Sequence, residues 1–380
     1  MTSGLRARGP LGLVTLGLEV LLLGILPLTA LYFVFLSVLR GGQVTDFENA
    51  FYPAAEAVLH GRSPYPALDD PSLAAGTAYV YPPLTAIASA PLTALSSEAA
   101  GLAVMALLVA MVIATLLVLD VRDWRCYGMA FLWLPVISAI QAANVTIPLG
   151  LAAALAWRYR ERPPLAGLSV GMSLALKPLL WPLVLWLAAT RRSRAAAVTV
   201  VTAAVALAGT WGVIGFAGLR EFPDLLHRLQ GLEERQGYTV YALATDLGAS
   251  PGLARPFAVA LAVSLLCAVV VLGRRGDDRR AFILALAAVL ACTPIVWLHY
   301  FALLLVVVAV GRPTLGPAWF VPLVMYGATG THNGTTLQNA LTIAAAAVTV
   351  LLSLRIAPPV SASALVPGDR PSVGSAAGRP

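Results

Sequence analysis

The residues best suited to chemistry lie in a polar segment, residues 40–78, which follows the first long apolar stretch. The segment holds five carboxylates and only two arginines, and Asp46 and Glu48 come first among the carboxylates. A carboxylate at a membrane surface can act as a general base toward a hydroxyl group, or it can bind a divalent cation. The sequence also permits a simpler role, in which Asp46 caps the start of a surface helix.

Two more residues are conspicuous because their surroundings are apolar. Lys177 is the only lysine of the chain and lies in the stretch SLALKPLLW. A cation in such a stretch usually faces a cavity and meets an anion, although its amine can instead extend to the membrane surface. His299 lies in CTPIVWLHYFALLL. Trp297 precedes it, Tyr300 follows it, and an apolar run comes after Tyr300. An ordinary hydrogen-bonded histidine of an aromatic belt fits this pattern equally well.

The composition indicates which elements must position these residues. Hydrophobic residues make up 59% of the 380 residues, charged residues make up 11%, and the mean hydropathy is +0.83. This composition is typical of a polytopic membrane protein. The net charge of +7 comes from short arginine clusters without interleaved aromatic residues, so we expect no nucleic-acid partner. Membrane spans are predicted most clearly at residues 11–39, 99–119, 195–216 and 337–354.

Charge predicts the orientation of the connecting loops. Arginine-rich turns at 158–162, 191–194 and 274–280 should face the cytoplasm. The loops at 40–78 and 217–255 have net charges of −3 and −1 and are predicted to lie on the external face. Counting spans with this orientation gives about twelve transmembrane helices.

Two apolar stretches are interrupted by polar residues and prolines. Residues 127–157 contain Gln141 and Asn144, and residues 165–190 contain Lys177 and Pro178. Each stretch is either one broken span or two short ones, and such breaks indicate a polar interior. We assign residues 1–356 to one membrane domain. Residues 357–380, rich in Pro, Ser, Ala and Gly, are predicted to form a disordered tail.

Several motifs, taken in order, resemble one family. They are DFENAFYPAAEAVLHGRSPYP from Asp46, YVYPP from Tyr79, QAAN from Gln141, AGLSVGMSLALK ending at Lys177, and TPIVWLHY from Thr293. Their order and spacing over residues 40–312 are similar to those of the polyprenol-phosphate-mannose-dependent α-mannosyltransferases, glycosyltransferase family 87. The chain has Cys-Thr-Pro where a Ser-Pro step is more usual, and this retains the helix break.

The resemblance implies an all-α polytopic membrane protein with a GT-C fold and a helical first external loop. It implies that Asp46 is the catalytic base of an inverting transfer, and that Lys177 and His299 line the donor or acceptor site. The further substrate-binding candidates in these motifs are Glu48, Tyr52, Tyr81, Gln141, Asn144 and Trp297.

The resemblance also implies the partners and the location. The donor would be a polyprenyl-phosphate-linked mannose, and the acceptor would be a lipid-anchored envelope glycan among the membrane lipids. The expected location is the cell membrane, with the active site on the external face. The sequence identifies no metal ligand and no certain cofactor, and the pair Asp46 and Glu48 permits a divalent cation without requiring one.

Other functions remain open at this point. Transferases that use polyprenyl-phosphate arabinofuranose or glucose share the architecture. A lipid or sugar transporter would also use broken helices and an intramembrane lysine, but it usually has inverted repeats, and the sequence has no repeat of fixed period. A noncatalytic scaffold does not account for the acidic first loop together with TPIVWLHY.

Overall fold

The fold is entirely helical where the structure is described. A computed structural model of the protein describes residues 10–328 and 333–355, and these residues form helices and turns without a β-strand. The predicted all-α class is therefore confirmed. The tail predicted at residues 357–380 lies outside the described residues.

The first half of the chain begins with a long span in which two helices join through a π-turn at Leu21–Ile25. The predicted first external loop is helical, with a π-turn at Phe47–Phe51 followed by two short helices. In chain order the helices are α1 (Pro10–Val20), α2 (Leu26–Leu39), α3 (Tyr52–Leu59), α4 (Pro71–Ala74), α5 (Pro83–Ser89), α6 (Ser97–Val118), α7 (Trp124–Leu132), α8 (Leu134–Gln141) and α9 (Thr146–Arg158).

The second half contains a further set of helices and two 3₁₀ segments. The 3₁₀ segments are Leu298–Leu303 and Val321–Gly327. The helices are α10 (Pro163–Leu176), α11 (Pro182–Ala189), α12 (Ser193–Val213), α13 (Phe222–Glu233), α14 (Val240–Asp246), α15 (Pro251–Arg274), α16 (Asp278–Cys292), α17 (Leu304–Gly311), α18 (Pro317–Phe320) and α19 (Thr336–Leu354).

Five helices of the described residues are long and apolar enough to cross a membrane. Between 11% and 39% of each apolar window is buried, so most of these side chains face outward, as expected for contact with lipid. The predicted total of about twelve spans stays a prediction, because several other apolar helices are too short to cross alone. The five are Gly12–Leu39, Ser97–Val118, Ser193–Val213, Pro251–Arg274 and Thr336–Leu354.

The predicted interruption in residues 127–157 is a sharp reversal. Helices α8 and α9 are bent by 118° at the turn between Gln141 and Thr146. Ala143 has a φ of 52°, a left-handed conformation that residues with a Cβ rarely adopt. Strained backbone of this kind persists where the surrounding contacts hold it, often at functional sites.

Helix α10 is fixed by close packing against α12. A Cβ added to Gly167 would lie 2.5 Å from the Cβ of Val198, and one added to Gly171 would lie 2.6 Å from the Cβ of Thr202. The spacing of the two glycines, four residues apart, places both on one helix face. This contact sets the position of the C-terminal end of α10, which is followed by Lys177.

The three arginine-rich turns meet at one carboxylate. Asp278 accepts hydrogen bonds from Arg160 at 2.9 Å, from Arg192 at 2.8 and 2.9 Å, and from the indole of Trp186 at 2.8 Å. Two arginines on one carboxylate offset the loss of hydration that partial burial imposes. The ends of α9 and α11 and the start of α16 are therefore held together at this cluster.

We predict that Asp278→Ala lowers the free energy of unfolding by about 2 kcal/mol, because partly buried arginines lose their charged acceptor. The measurement is the thermal melting of the detergent-solubilised protein. The matched control is Asp120→Asn, which removes the charge that pairs with Arg122 where the two side chains are 62% and 85% exposed, and which tolerates the left-handed φ of 58° at this position. Equal melting temperatures for the two variants would contradict a structural role for the Asp278 cluster.

Candidate active site

Asp46 is held by the reversal between α8 and α9. Its backbone N–H donates to the carbonyl of Ala142 at 3.1 Å, and its carboxylate accepts a hydrogen bond from the side-chain amide of Asn144. Its side chain makes no capping hydrogen bond to the helix that follows, so the simpler role as a helix cap is wrong. The first loop and the α8–α9 reversal therefore meet at Asp46.

The orientation of the Asn144 amide is fixed by hydrogen bonding. Its Oδ1 accepts from the backbone N–H of Thr146 at 2.9 Å and from the hydroxyl of Thr146 at 2.6 Å. Because a backbone N–H can only donate, the oxygen of the amide must face Thr146. The amide NH₂ then faces Asp46, and Asn144 is 1% exposed, so it has little freedom to turn.

Lys177 leaves the helix because of the residue that follows it. Proline disfavours the helical conformation of the residue before it, and α10 accordingly ends at Leu176. Lys177 is extended, with φ −157° and ψ 123°. Its ammonium donates to the hydroxyl of Tyr300, and it lies 3.5 Å from the hydroxyl of Tyr81.

Tyr81 lies between the carboxylate and the cation. Its hydroxyl lies 3.5 Å from the Lys177 ammonium and close to the Asn144 side chain. Its backbone carbonyl accepts a hydrogen bond from Tyr65 at 3.0 Å, and its ring lies 4.9 Å from that of Phe51. Asp46, Asn144, Tyr81, Lys177 and Tyr300 thus form one polar network, which we call the central network.

The YVYPP motif holds Tyr81 through its first tyrosine. The hydroxyl of Tyr79 donates to the carbonyl of Pro82 at 2.5 Å and accepts from the backbone N–H of Ala86 at 3.1 Å. These bonds fix the first turn of α5, where proline is favourable because the first amides of a helix have no partner. The motif is therefore a rigid support beside the central network.

His299 adjoins the central network. It is 2% exposed, and its ring lies 5.0 Å from that of Tyr300. Neither ring nitrogen has a hydrogen-bond partner among the described residues. A buried imidazole without partners is unfavourable, so a polar group from a bound molecule would improve its environment.

The electrostatic environment of Asp46 combines opposing effects. Burial raises the pKa of its carboxyl, while the Asn144 amide and the charge of Lys177 act to lower this pKa. Asp46 and Lys177 form no direct ion pair in the described part of the chain. Neither charge is therefore neutralised by direct contact with the other.

The other predicted site residues are placed outside the central network. The Tyr52 hydroxyl donates to the carbonyl of Leu95 at 2.9 Å. Glu48 faces α6, where a Cβ on Gly101 would lie 3.5 Å from its Oε1. Gln141 is exposed at the end of α8, and Trp297 is half-buried just before the 3₁₀ segment Leu298–Leu303. Their assignment to substrate binding stays a prediction.

Tyr300 and Thr146 are the residues that sequence reasoning missed. Tyr300 lies beside Trp297 and His299, which is typical of an aromatic belt, and nothing local indicates that it contacts Lys177. The proline after Lys177 could have indicated such a contact, because it ends the helix and directs the lysine toward another element. Thr146 follows Asn144 by two residues, the spacing of a local side-chain contact.

The two loops predicted to be external pack against each other. The ring of Tyr65 stacks on Trp211 at the end of α12, with centroids 5.2 Å apart and planes 15° apart. It also meets Phe222 of α13 at 5.4 Å. Since the Tyr65 hydroxyl also bonds Tyr81, the contact between the loops is continuous with the central network.

No three His, Cys, Asp or Glu side chains of residues 10–328 and 333–355 are grouped so that they could hold a metal ion. The central network instead offers a carboxylate at one end and an ammonium at the other. The carboxylate can accept a proton from one group of a bound molecule, while the ammonium stabilises negative charge that develops on another group of that molecule.

The family model of glycosyltransferase family 87 matches residues 79–296, more than half of the chain. Asp46 precedes the matched range and His299 follows it, whereas Tyr81, Asn144 and Lys177 lie inside it. Comparisons with curated proteins and with solved structures give no match. Together with apolar helices long enough to span a membrane, the family match shows that the chain belongs to glycosyltransferase family 87 and is a membrane glycosyltransferase.

Proposed function

We propose that this protein is an inverting transferase that moves mannose from polyprenyl-phosphate mannose to a lipid-anchored envelope glycan. The observation that carries the proposal is the central network, in which Asp46 is bonded to Asn144, and Lys177 is bonded to Tyr300 beside Tyr81. A carboxylate base and a cation for the departing phosphate are the two charged groups that such a transfer needs.

In the proposed reaction, Asp46 takes the proton of an acceptor hydroxyl. The hydroxyl oxygen forms a bond to the anomeric carbon from the face opposite the phosphate. The bond between the anomeric carbon and the phosphate oxygen breaks, and its electron pair stays on that oxygen. One displacement inverts the anomeric configuration without a covalent glycosyl-enzyme intermediate.

Lys177 stabilises the departing phosphate, and His299 donates a hydrogen bond from one of its unpartnered nitrogens. A phosphate departs without protonation, so the reaction needs no second carboxylate as a general acid, in contrast to glycoside hydrolases. Among the described residues, Glu48 is not joined to Asp46 by a hydrogen bond, and we give it no part in the proton transfer.

The proposal also specifies the identity of the donor sugar and the side of the membrane on which the active site lies. Mannose rests on the resemblance over residues 40–312, and a polyprenyl-phosphate arabinofuranose or glucose donor is the alternative within the family of reactions. Helices α9 and α10 each begin or end at an arginine-rich turn and reach the central network at the other end. If the arginines face the cytoplasm, the active site lies on the external side.

We predict that Asp46→Asn lowers transfer from labelled polyprenyl-phosphate mannose by at least about 100-fold, because an amide cannot accept the proton. The measurement uses membranes that contain the protein and an envelope glycolipid acceptor. The matched control is Asp70→Asn in the same loop, since the half-buried Asp70 caps α4 through the N–H of Ser72, and asparagine can cap equally well.

Equal transfer by the wild type and Asp46→Asn would overturn the assignment of the base. Transfer of arabinofuranose or glucose without transfer of mannose would change the assigned sugar, while the assigned type of reaction would remain. If no lipid-linked sugar were transferred by the wild type to any acceptor, the proposed donor class would be wrong.

We predict that Asn144→Ala shifts the acidic limb of kcat/KM to higher pH by about one unit, the effect of losing one hydrogen bond to a charged group. A general base works only when deprotonated, so activity rises with pH through the pKa of Asp46. The amide of Asn144 lowers that pKa, and its removal allows burial to raise the pKa further.

The control for this shift is Gln43→Ala, which removes an exposed amide three residues before Asp46. Its pH profile should coincide with that of the wild type. An unchanged acidic limb in Asn144→Ala would show that Asp46 does not titrate in the reaction.

A further inference from the structure

The ammonium of Lys177 is held by tyrosines. It donates to the Tyr300 hydroxyl, lies 3.5 Å from the Tyr81 hydroxyl, and lies 4.2 and 4.7 Å from the centroids of the two rings. These distances are within the range of a cation–π contact, and the hydroxyl oxygens are closer than the ring centres. No carboxylate contacts this ammonium within the described residues.

We propose that Tyr300, supported by Tyr81, is a positioning residue that fixes the Lys177 ammonium where the phosphate of the donor binds. The proposal rests on the proposed function, which places a lipid-linked phosphate beside Lys177. Tyr300 lies outside the residues that the family model matches, and it acts here through Lys177.

The hydrogen-bond pattern supports this role. The Tyr300 oxygen accepts from Lys177, and the Tyr81 oxygen lies 3.5 Å from the same ammonium. Neither hydroxyl hydrogen has an acceptor among the described residues. The two hydroxyl groups therefore present donors without an acceptor beside a cation, which is the polarity that an anion such as phosphate requires.

The packing of Tyr300 supports a fixed orientation. The residue is 5% exposed, and its backbone N–H donates to the carbonyl of Trp297 at 2.9 Å. A flexible lysine that binds a phosphate must first lose its rotational freedom. A tyrosine already in contact with the amine reduces that loss at the moment of binding.

A carboxylate at the same position would act differently. It would form an ion pair with Lys177 and compete with the donor phosphate for the same charge. A neutral hydroxyl holds the amine while leaving its full positive charge for the phosphate. This difference explains why tyrosines are suited to surround the single lysine of the chain.

The single lysine permits a test that does not depend on activity. Only Lys177 and the amino terminus of the chain can react with an amine-selective reagent, and Lys177→Arg measures the labelling of the amino terminus alone. Tyr300→Phe keeps the ring and removes the hydroxyl that stabilises the charged amine. We expect the free-amine fraction to rise, so that Lys177 is labelled severalfold faster at mildly acidic pH, where most of the wild-type amine is protonated, as expected for the loss of a hydrogen bond to a charged group.

The same variant is tested in the transfer assay. Tyr300→Phe should raise the KM for the polyprenyl-phosphate sugar by about tenfold and change kcat less, because phosphate binding depends on the position of the amine. Tyr81→Phe, which loses the longer contact, should change both measurements in the same direction by a smaller factor. It also provides the test if Tyr300→Phe does not fold.

The matched control is Tyr127→Phe, since the Tyr127 hydroxyl donates to the carbonyl of Val121 at 2.9 Å outside the central network. It should leave the labelling rate and the KM at their wild-type values. Wild-type labelling of Lys177 in folded Tyr300→Phe would overturn the proposal, and so would an unchanged KM. If the wild type transferred no lipid-linked sugar, the proposed function would fail, while the labelling rates would still decide whether Tyr300 holds Lys177.

Discussion

The hydrogen bond from Asn144 to Asp46 is the interaction on which the active site depends. Thr146 occupies the oxygen of the amide, so the NH₂ can only face the carboxylate. The backbone N–H of Asp46 adds a second contact at Ala142. A loop that follows the first span is thereby attached to the reversal between α8 and α9, and a carboxylate that would otherwise be solvated is held beside apolar helices.

The helices next to the contact between Asn144 and Asp46 separate two polar regions of the protein. Helices α9 and α10 contain 13 and 14 residues, which corresponds to about 20 Å each. At one end the arginine-rich turns meet at Asp278, and at the other end lies the central network. These helices are shorter than the roughly 30 Å hydrocarbon core, so the polar network can lie recessed within the membrane region, close to a lipid-linked substrate.

The sequence predicted the helical class and most of the long spans for physical reasons that are local, whereas the segments assigned to the site came from the resemblance to a family. Apolar length predicts a span, and a proline after Lys177 predicts the end of α10. The partners of these residues could not be predicted in the same way. The bond from Asn144 joins residues 98 positions apart, and that from Lys177 to Tyr300 joins residues 123 positions apart, so both depend on tertiary packing. Tyr52 fits the motif equally well, yet its hydroxyl bonds Leu95.

The central claim is that the phosphate of a lipid-linked sugar lies at Lys177 while its anomeric carbon faces Asp46. The most direct measurement is an experimental structure of the protein with a non-transferable phosphonate analogue of polyprenyl-phosphate mannose. We expect the phosphonate to contact Lys177 and His299, with space for an acceptor hydroxyl between Asp46 and the anomeric carbon. A phosphonate bound away from Lys177, or a sugar that turns the anomeric carbon away from Asp46, would contradict the central claim.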